Sequence, residues 1–116
     1  MKVMHMPNKR PIIVVTMPER LTRVHNRDFL LTIAALLKAD RTRIVFDCSQ
    51  VREIDRAGTD MLLHCVEQVI RQDGELNLSS VPTKILAVLE LTCVDRLFEI
   101  FQNNADAVES YKGLAA

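Results

Sequence analysis

Three short apolar runs, Pro11 to Met17 (PIIVVTM), Arg43 to Cys48 (RIVFDC) and Glu75 to Ser79 (ELNLS), constrain the fold more than any other feature, because each is followed by apolar residues at helical spacing. β-Branched and aromatic residues in short runs suit interior strands. The spacing after Pro18 predicts an amphipathic helix over Asn26 to Ala39, burying Phe29, Leu30, Ile33, Leu36 and Leu37. From Gly58 to Gln72 the stripe Leu62, Leu63, Val66, Val69, Ile70 predicts a second helix, closed by Gly74. Pro82 suits the first turn of a third helix burying Ile85, Leu86, Val88 and Leu89. Lys2 to Met6 reads as a further strand, joined to the next by a turn at Asn8-Lys9-Arg10. A short apolar stretch from Leu97 to Phe101 and a polar helix starting near Asn103 or Asn104 complete the order.

Strands separated by helices of this length imply right-handed crossovers. The expected fold is α/β, a mixed, mainly parallel sheet with helices packed on it in the order ββαβαβαβα. A chain of 116 residues fits one domain, taken as residues 1–116. In open sheets of this kind, sites form beyond the carboxyl ends of the parallel strands. The junction after Cys48, "VREIDRAGTDML" from Val51 to Leu62, occupies such a position.

Composition and motifs narrow the chemistry. Aromatic residues are 4% of the chain, with no Trp, which leaves little for stacking bases or sugars. Residues 1–43 hold nine Lys/Arg against three Asp/Glu, and the remainder holds six against twelve, yet no nucleic-acid-reading motif accompanies the basic half. Cys48, Cys65 and Cys93 are odd in number and widely spaced, which argues against a disulfide framework and points to a reducing cytoplasm. No apolar run is long enough to span a bilayer, so neither secretion nor direct membrane insertion is expected.

Candidate catalytic groups read as structural. Cys48 lies at a strand end, but Ile54 stands where a phosphatase would need an arginine, so a buried thiol is expected. Asp47 and Asp55 are flanked by Arg52 and Arg56 and suit ion pairs or solvated carboxylates better than a metal pocket. His64 follows Asp60 by one helical turn without a third ligand, and His5 and His25 have no partner at recognisable spacing. No Gly-rich phosphate loop exists, and no cofactor is implied.

"IVFDCSQVREIDRAG", Ile44 to Gly58, resembles the STAS family of anti-sigma factor antagonist domains, whose pattern runs apolar strand, Asp-x-Ser, then V-x-x-I-D-S-S-G-L. Asp47, Ser49, Val51, Ile54, Asp55 and Gly58 match it. "GELNLSSV", "ILAVLELTCVDRLFEIF" and "NADAV" look like the family's later elements and extend the resemblance over about residues 12–110. The resemblance implies a non-enzymatic switch that binds an anti-sigma factor, commonly a serine kinase, and is silenced by phosphorylation of the first serine of D-S-S-G. That position is Arg56 here and the second serine is Ala57, so neither can accept phosphate. The family's early Gly-Glu-Leu-Asp looks like Pro18-Glu19-Arg20-Leu21, and its glycine after the third helix is replaced by Cys93.

Physical reading of the junction makes Asp55 an N-cap accepting from Ala57 or Gly58 N–H, and makes Gly58 a point of close approach. Arg56 in the first helical turn is opposed by the helix dipole, with Asp55 and Asp60 near enough in sequence to offset it. The resemblance makes Asp55, Arg56, Ala57, Gly58 and Thr59 the expected partner-binding residues, with Thr59 the less favoured alternative phosphoacceptor. The expected partner is an anti-sigma factor kinase. A soluble STAS subunit docking on an ABC transporter ATPase in lipid transport is the alternative, and a small-ligand or nucleotide site a further one.

Overall fold

The computed structural model describes the backbone of residues 2–6 and 9–113 and the side chains of residues 11–111. Strands β1 (Lys2–Met6), β2 (Lys9–Thr16), β4 (Arg43–Asp47), β6 (Glu75–Ser79) and β7 (Ile100–Phe101) form a five-stranded sheet in the order β1-β2-β4-β6-β7. β1 pairs antiparallel with β2, and the other pairs are parallel. Register runs from Ile12 opposite Arg43 to Thr16 opposite Asp47, then from Arg43 opposite Glu75 to Asp47 opposite Ser79. The three central carboxyl ends, Thr16, Asp47 and Ser79, are thereby level.

Helices α1 (Arg23–Lys38), α2 (Arg56–Arg71), α3 (Thr83–Leu91) and α4 (Asn104–Gly113) cover the sheet. Alternation along the strands decides which helix meets which face. Ile13, Val15, Ile44, Phe46, Leu76 and Leu78 join Phe29 and Ile33 of α1, Leu62 and Val66 of α2, and Ile85 and Leu89 of α3 in the larger core. Phe29 meets Phe46 edge-on, with ring centroids 5.3 Å apart. Ile12, Val14 and Val45 point the other way, against Ala107, Val108 and Tyr111 of α4. The Tyr111 hydroxyl donates to the Ile44 carbonyl at 2.6 Å, so the polar tip of this buried ring is satisfied.

The expected order holds once two features without a local signature are added. β3 (Arg20–Leu21) and β5 (Glu53–Ile54) form a separate parallel pair, and a 3-10 turn (Val94–Leu97) follows α3. Lys9 and Arg10, expected in a turn, belong to β2, while Asn8 lies outside the described residues. The apolar stretch from Leu97 to Phe101 is divided, with Leu97 exposed, Phe98 buried and β7 beginning only at Ile100. Ile70 was expected to be buried but is 63% exposed, and Leu63, Leu30, Leu86 and Val88 are half-buried.

Asp73, not Gly74, adopts the left-handed conformation that ends α2, at φ 55°. Its N–H donates to Ile70 O and that of Gly74 to Val69 O, the paired bonds of a Schellman cap. Gly74 is required for space instead, because a Cβ there would lie 2.5 Å from the Thr42 carbonyl oxygen.

Candidate functional site

The junction after β4 is held by the small β3–β5 pair. Glu19 O accepts from the N–H groups of Arg52 and Glu53, and the Asp55 N–H donates to Leu21 O at 3.3 Å. Pro18-Glu19-Arg20-Leu21, the segment that departs from the family pattern, thus supplies the carbonyls that fix the loop ahead of α2.

Asp55 is the N-cap of α2, with extended backbone (φ −111°, ψ −173°) and its Oδ1 accepting from Gly58 N–H at 2.9 Å. This is the expected cap, with Gly58 as the donor. A Cβ on Gly58 would fall 2.0 Å from Leu21 O and 2.8 Å from Ile54 Cγ1, so the close approach is made by the chain's own β3. Gly58 and Thr59 are buried, Ala57 is half-buried, and Asp55 and Arg56 are exposed. The Thr59 hydroxyl donates to Arg56 O at 2.8 Å inside the first turn.

Arg56 has no ion-pair partner among the described residues, so neither Asp55 nor Asp60 neutralises it by direct contact. It stands on the rim of an open groove of about 540 Å³ between the start of α2 and the end of α3. Ile54, Leu63, Val88 and Val94 give the groove its apolar lining, and Asp55, Arg56, Thr59, Asp60 and Thr92 complete it. The sequence reading located the loop and missed the contribution of α3.

It also missed Asn26, on the buried side of α1, whose Nδ2 donates to Ala57 O at 2.9 Å. An asparagine in line with Phe29 and Ile33 on an apolar helix face was the available signal, since buried amides are held by partners. A second missed network lies at the carboxyl ends of β4 and β6. Asn104 Nδ2 donates to Asp47 Oδ2 at 3.0 Å, Ser79 Oγ donates to Asn104 Oδ1, and Ser49 N–H donates to Asp47 Oδ1 at 3.0 Å. Burial opposes the Asp47 charge, but the bonds from Asn104 and Ser49 prevail and lower its pKa. The Asp-x-Ser of the motif is therefore a latch between β4 and the start of α4.

The remaining candidates have structural settings. Cys48 is buried and its thiol faces Phe46 O at 3.6 Å; burial, then the Asp47 charge, pushes its pKa up to about 12. Burial likewise pushes Cys65 up to about 12. Both are protonated thiols at neutral pH rather than nucleophiles. Cys93 is exposed and takes φ 62°, a left-handed conformation that favours glycine. His25 Nδ1 is 2.9 Å from the Thr22 hydroxyl, and His64 is exposed beside Lys38 on the α1–α2 surface. Among the described residues, no three His, Cys, Asp or Glu side chains converge as metal ligands.

These features define the class: an α/β domain with three helices on one face of a mainly parallel sheet, one on the other, and an ordered loop capped onto α2 at the strands' carboxyl ends. The chain belongs to the STAS domain family, since the family model described as Mlab, STAS domain matches residues 7–100. A Thermotoga maritima structure assigned as an anti-sigma factor antagonist is 25% identical, with a TM-score of 0.76, covering 84% of this chain and 86% of its own. The unphosphorylated anti-sigma factor antagonist SpoIIAA superposes with a TM-score of 0.76 at 12% identity, covering 97% of this chain and 96% of its own. A sulfate transporter family protein from Wolinella succinogenes is similar at a TM-score of 0.70 and 16% identity, covering 90% and 87%. No protein with a curated description matches the sequence significantly.

Proposed function

We propose that residues 1–116 form a single, non-enzymatic protein-interaction module of the anti-sigma factor antagonist type, acting in the cytoplasm by partner switching and not controlled by phosphorylation at the usual position. The observation that carries this reading is the loop itself. Asp55 and Gly58 hold the α2 start in place, while the exposed position between them that would bear the acceptor hydroxyl carries Arg56. Asp55, Arg56 and the exposed part of Ala57 make the contact, with Gly58 and Thr59 supporting it from within. The groove takes apolar side chains of the partner, an anti-sigma factor or serine kinase, and Arg56 takes a carboxylate from it.

The test is incubation with ATP and the kinase that co-purifies from the native host, followed by phosphate mapping. Wild-type protein remains unmodified, and Arg56→Ser acquires phosphate at residue 56. Phosphate on wild-type Thr59 overturns the reading, as does failure to recover any regulatory partner.

A second reading, docking on the ATPase of an ABC-type lipid transporter, draws support from the missing acceptor; among the structural neighbours, a sulfate transporter family protein and an anion transporter share the fold. A permease and ATPase encoded beside the gene favour this reading; a kinase or phosphatase favours switching. The nucleotide reading is weakened by Asp55, whose carboxylate already occupies the positive end of α2 and would repel a phosphate.

A further inference from the structure

The outward face of α1 is not used by the loop or the groove, and its pattern is not what helix stability asks for. Cations stabilise the carboxyl end of a helix and oppose the amino end. Yet α1 begins with Arg23, carries Arg27 one turn later, and has no acidic residue in its first turn. Val24 and Leu31, seven residues apart and so on one line along the axis, are 85% and 63% exposed. Lys38 continues that line after Leu31, and Arg23, Arg27 and Lys38 are exposed with no ion pair among the described residues. Asp28 is the only carboxylate within α1, so the helix's own charges leave the face net positive, with exposed Asp40 following two residues after Lys38. Arg20, just before the helix, adds a cation partly offset by Glu53 at 3.6 Å.

We infer that this face docks peripherally on an anionic lipid surface. Phenylalanine and aliphatic residues of α1 at Phe29, Ile33, Leu36 and Leu37 are already buried against the sheet, so the exposed line is a second apolar feature. It lies along the convex back of a helix, with cations beside it whose long stems can lie along the interface while their charges reach head groups. A flat charged surface can engage such a face without a complementary pocket, whereas protein partners draw most of their affinity from side chains seated in pockets. A second copy of the chain is disfavoured, because α1 against α1 would bring Arg27 and Lys38 against like charges. No helix of the described residues is long and apolar enough to cross a membrane, so the contact is with the surface only.

The experiment is co-sedimentation of the full chain with phosphatidylglycerol–phosphatidylcholine vesicles and with phosphatidylcholine vesicles alone, at low and high salt. Binding is expected only with the anionic vesicles and is expected to weaken with salt. Leu31→Glu should abolish it. The Arg23→Glu/Arg27→Glu double variant should weaken it at least about 25-fold, from about five-fold for each cation lost. Leu91→Glu, altering an apolar residue on α3 that is more exposed than Leu31, should leave it unchanged. All altered side chains are exposed, and unchanged thermal melts establish that each variant is folded. Absence of sedimentation with anionic vesicles, binding insensitive to salt, or full binding by Leu31→Glu overturns the inference. Binding of an acidic amphipathic peptide without binding of vesicles also overturns it, and makes the face a protein contact.

Discussion

Replacing Gly58 by alanine would set a Cβ 2.0 Å from the Leu21 carbonyl oxygen and 3.0 Å from its carbon, with Ile54 Cγ1 at 2.8 Å. The nearest obstacle is backbone, and that backbone is held by the β3–β5 pair and by the Asp55 N–H bond to the same oxygen. A rotamer change cannot relieve it, so the loop must separate from α2. Overpacking of this kind costs about 1–3 kcal/mol, and backbone involvement places it at the upper end. Alanine returns about 1 kcal/mol in helix propensity. The net loss is about 2 kcal/mol, which for a domain of this size lowers the melting temperature by about 8 °C. Thermal unfolding followed by circular dichroism measures it directly. A melting temperature equal to or above wild type would refute the reasoning, because propensity alone would then decide the outcome and Gly58 would have no steric role.

Other residues give smaller, independent effects. Asp55→Ala removes the side-chain cap on Gly58 N–H and should cost about 1 kcal/mol in urea or thermal unfolding. Cys93→Gly relieves a left-handed non-glycine residue and should gain about 0.5–1 kcal/mol by the same measurement. Asp47 has its pKa lowered below the ordinary 3.8, so its share of stability is complete above that value and is lost as pH falls through the lower folded pKa. Asp47→Asn should accordingly flatten the fall in melting temperature between about pH 4 and pH 2, relative to wild type.

The large elements were legible because their patterns are local. Glu75–Ser79 is a strand as expected, and the α2 stripe is correct at Leu62, Val66 and Val69. Ile70 broke the pattern because α2 packs on the sheet through Met61, Cys65 and Val69, leaving Ile70 beyond the edge of the buried stripe. β3 and β5 are two-residue strands whose only reason to exist is each other, and a pairing between Leu21 and Ile54 leaves no periodic trace. Asp73 rather than Gly74 took the positive φ because the two requirements, a turn and an absent side chain, fall on adjacent residues. At the site, the cap residue and the close-packed glycine were readable from type and spacing. The groove was not, since Val88, Thr92 and Val94 reach Arg56 only through tertiary packing.

The most direct test of the central claim is amide hydrogen exchange on the protein co-purified with its native partner, compared with the free protein. Protection centred on Ile54 to Leu63 and on Val88 to Val94, reduced in Arg56→Glu, is the predicted result. Protection elsewhere in the chain, with those two segments exchanging as in the free protein, would contradict the assignment of the loop and its groove as the contact surface.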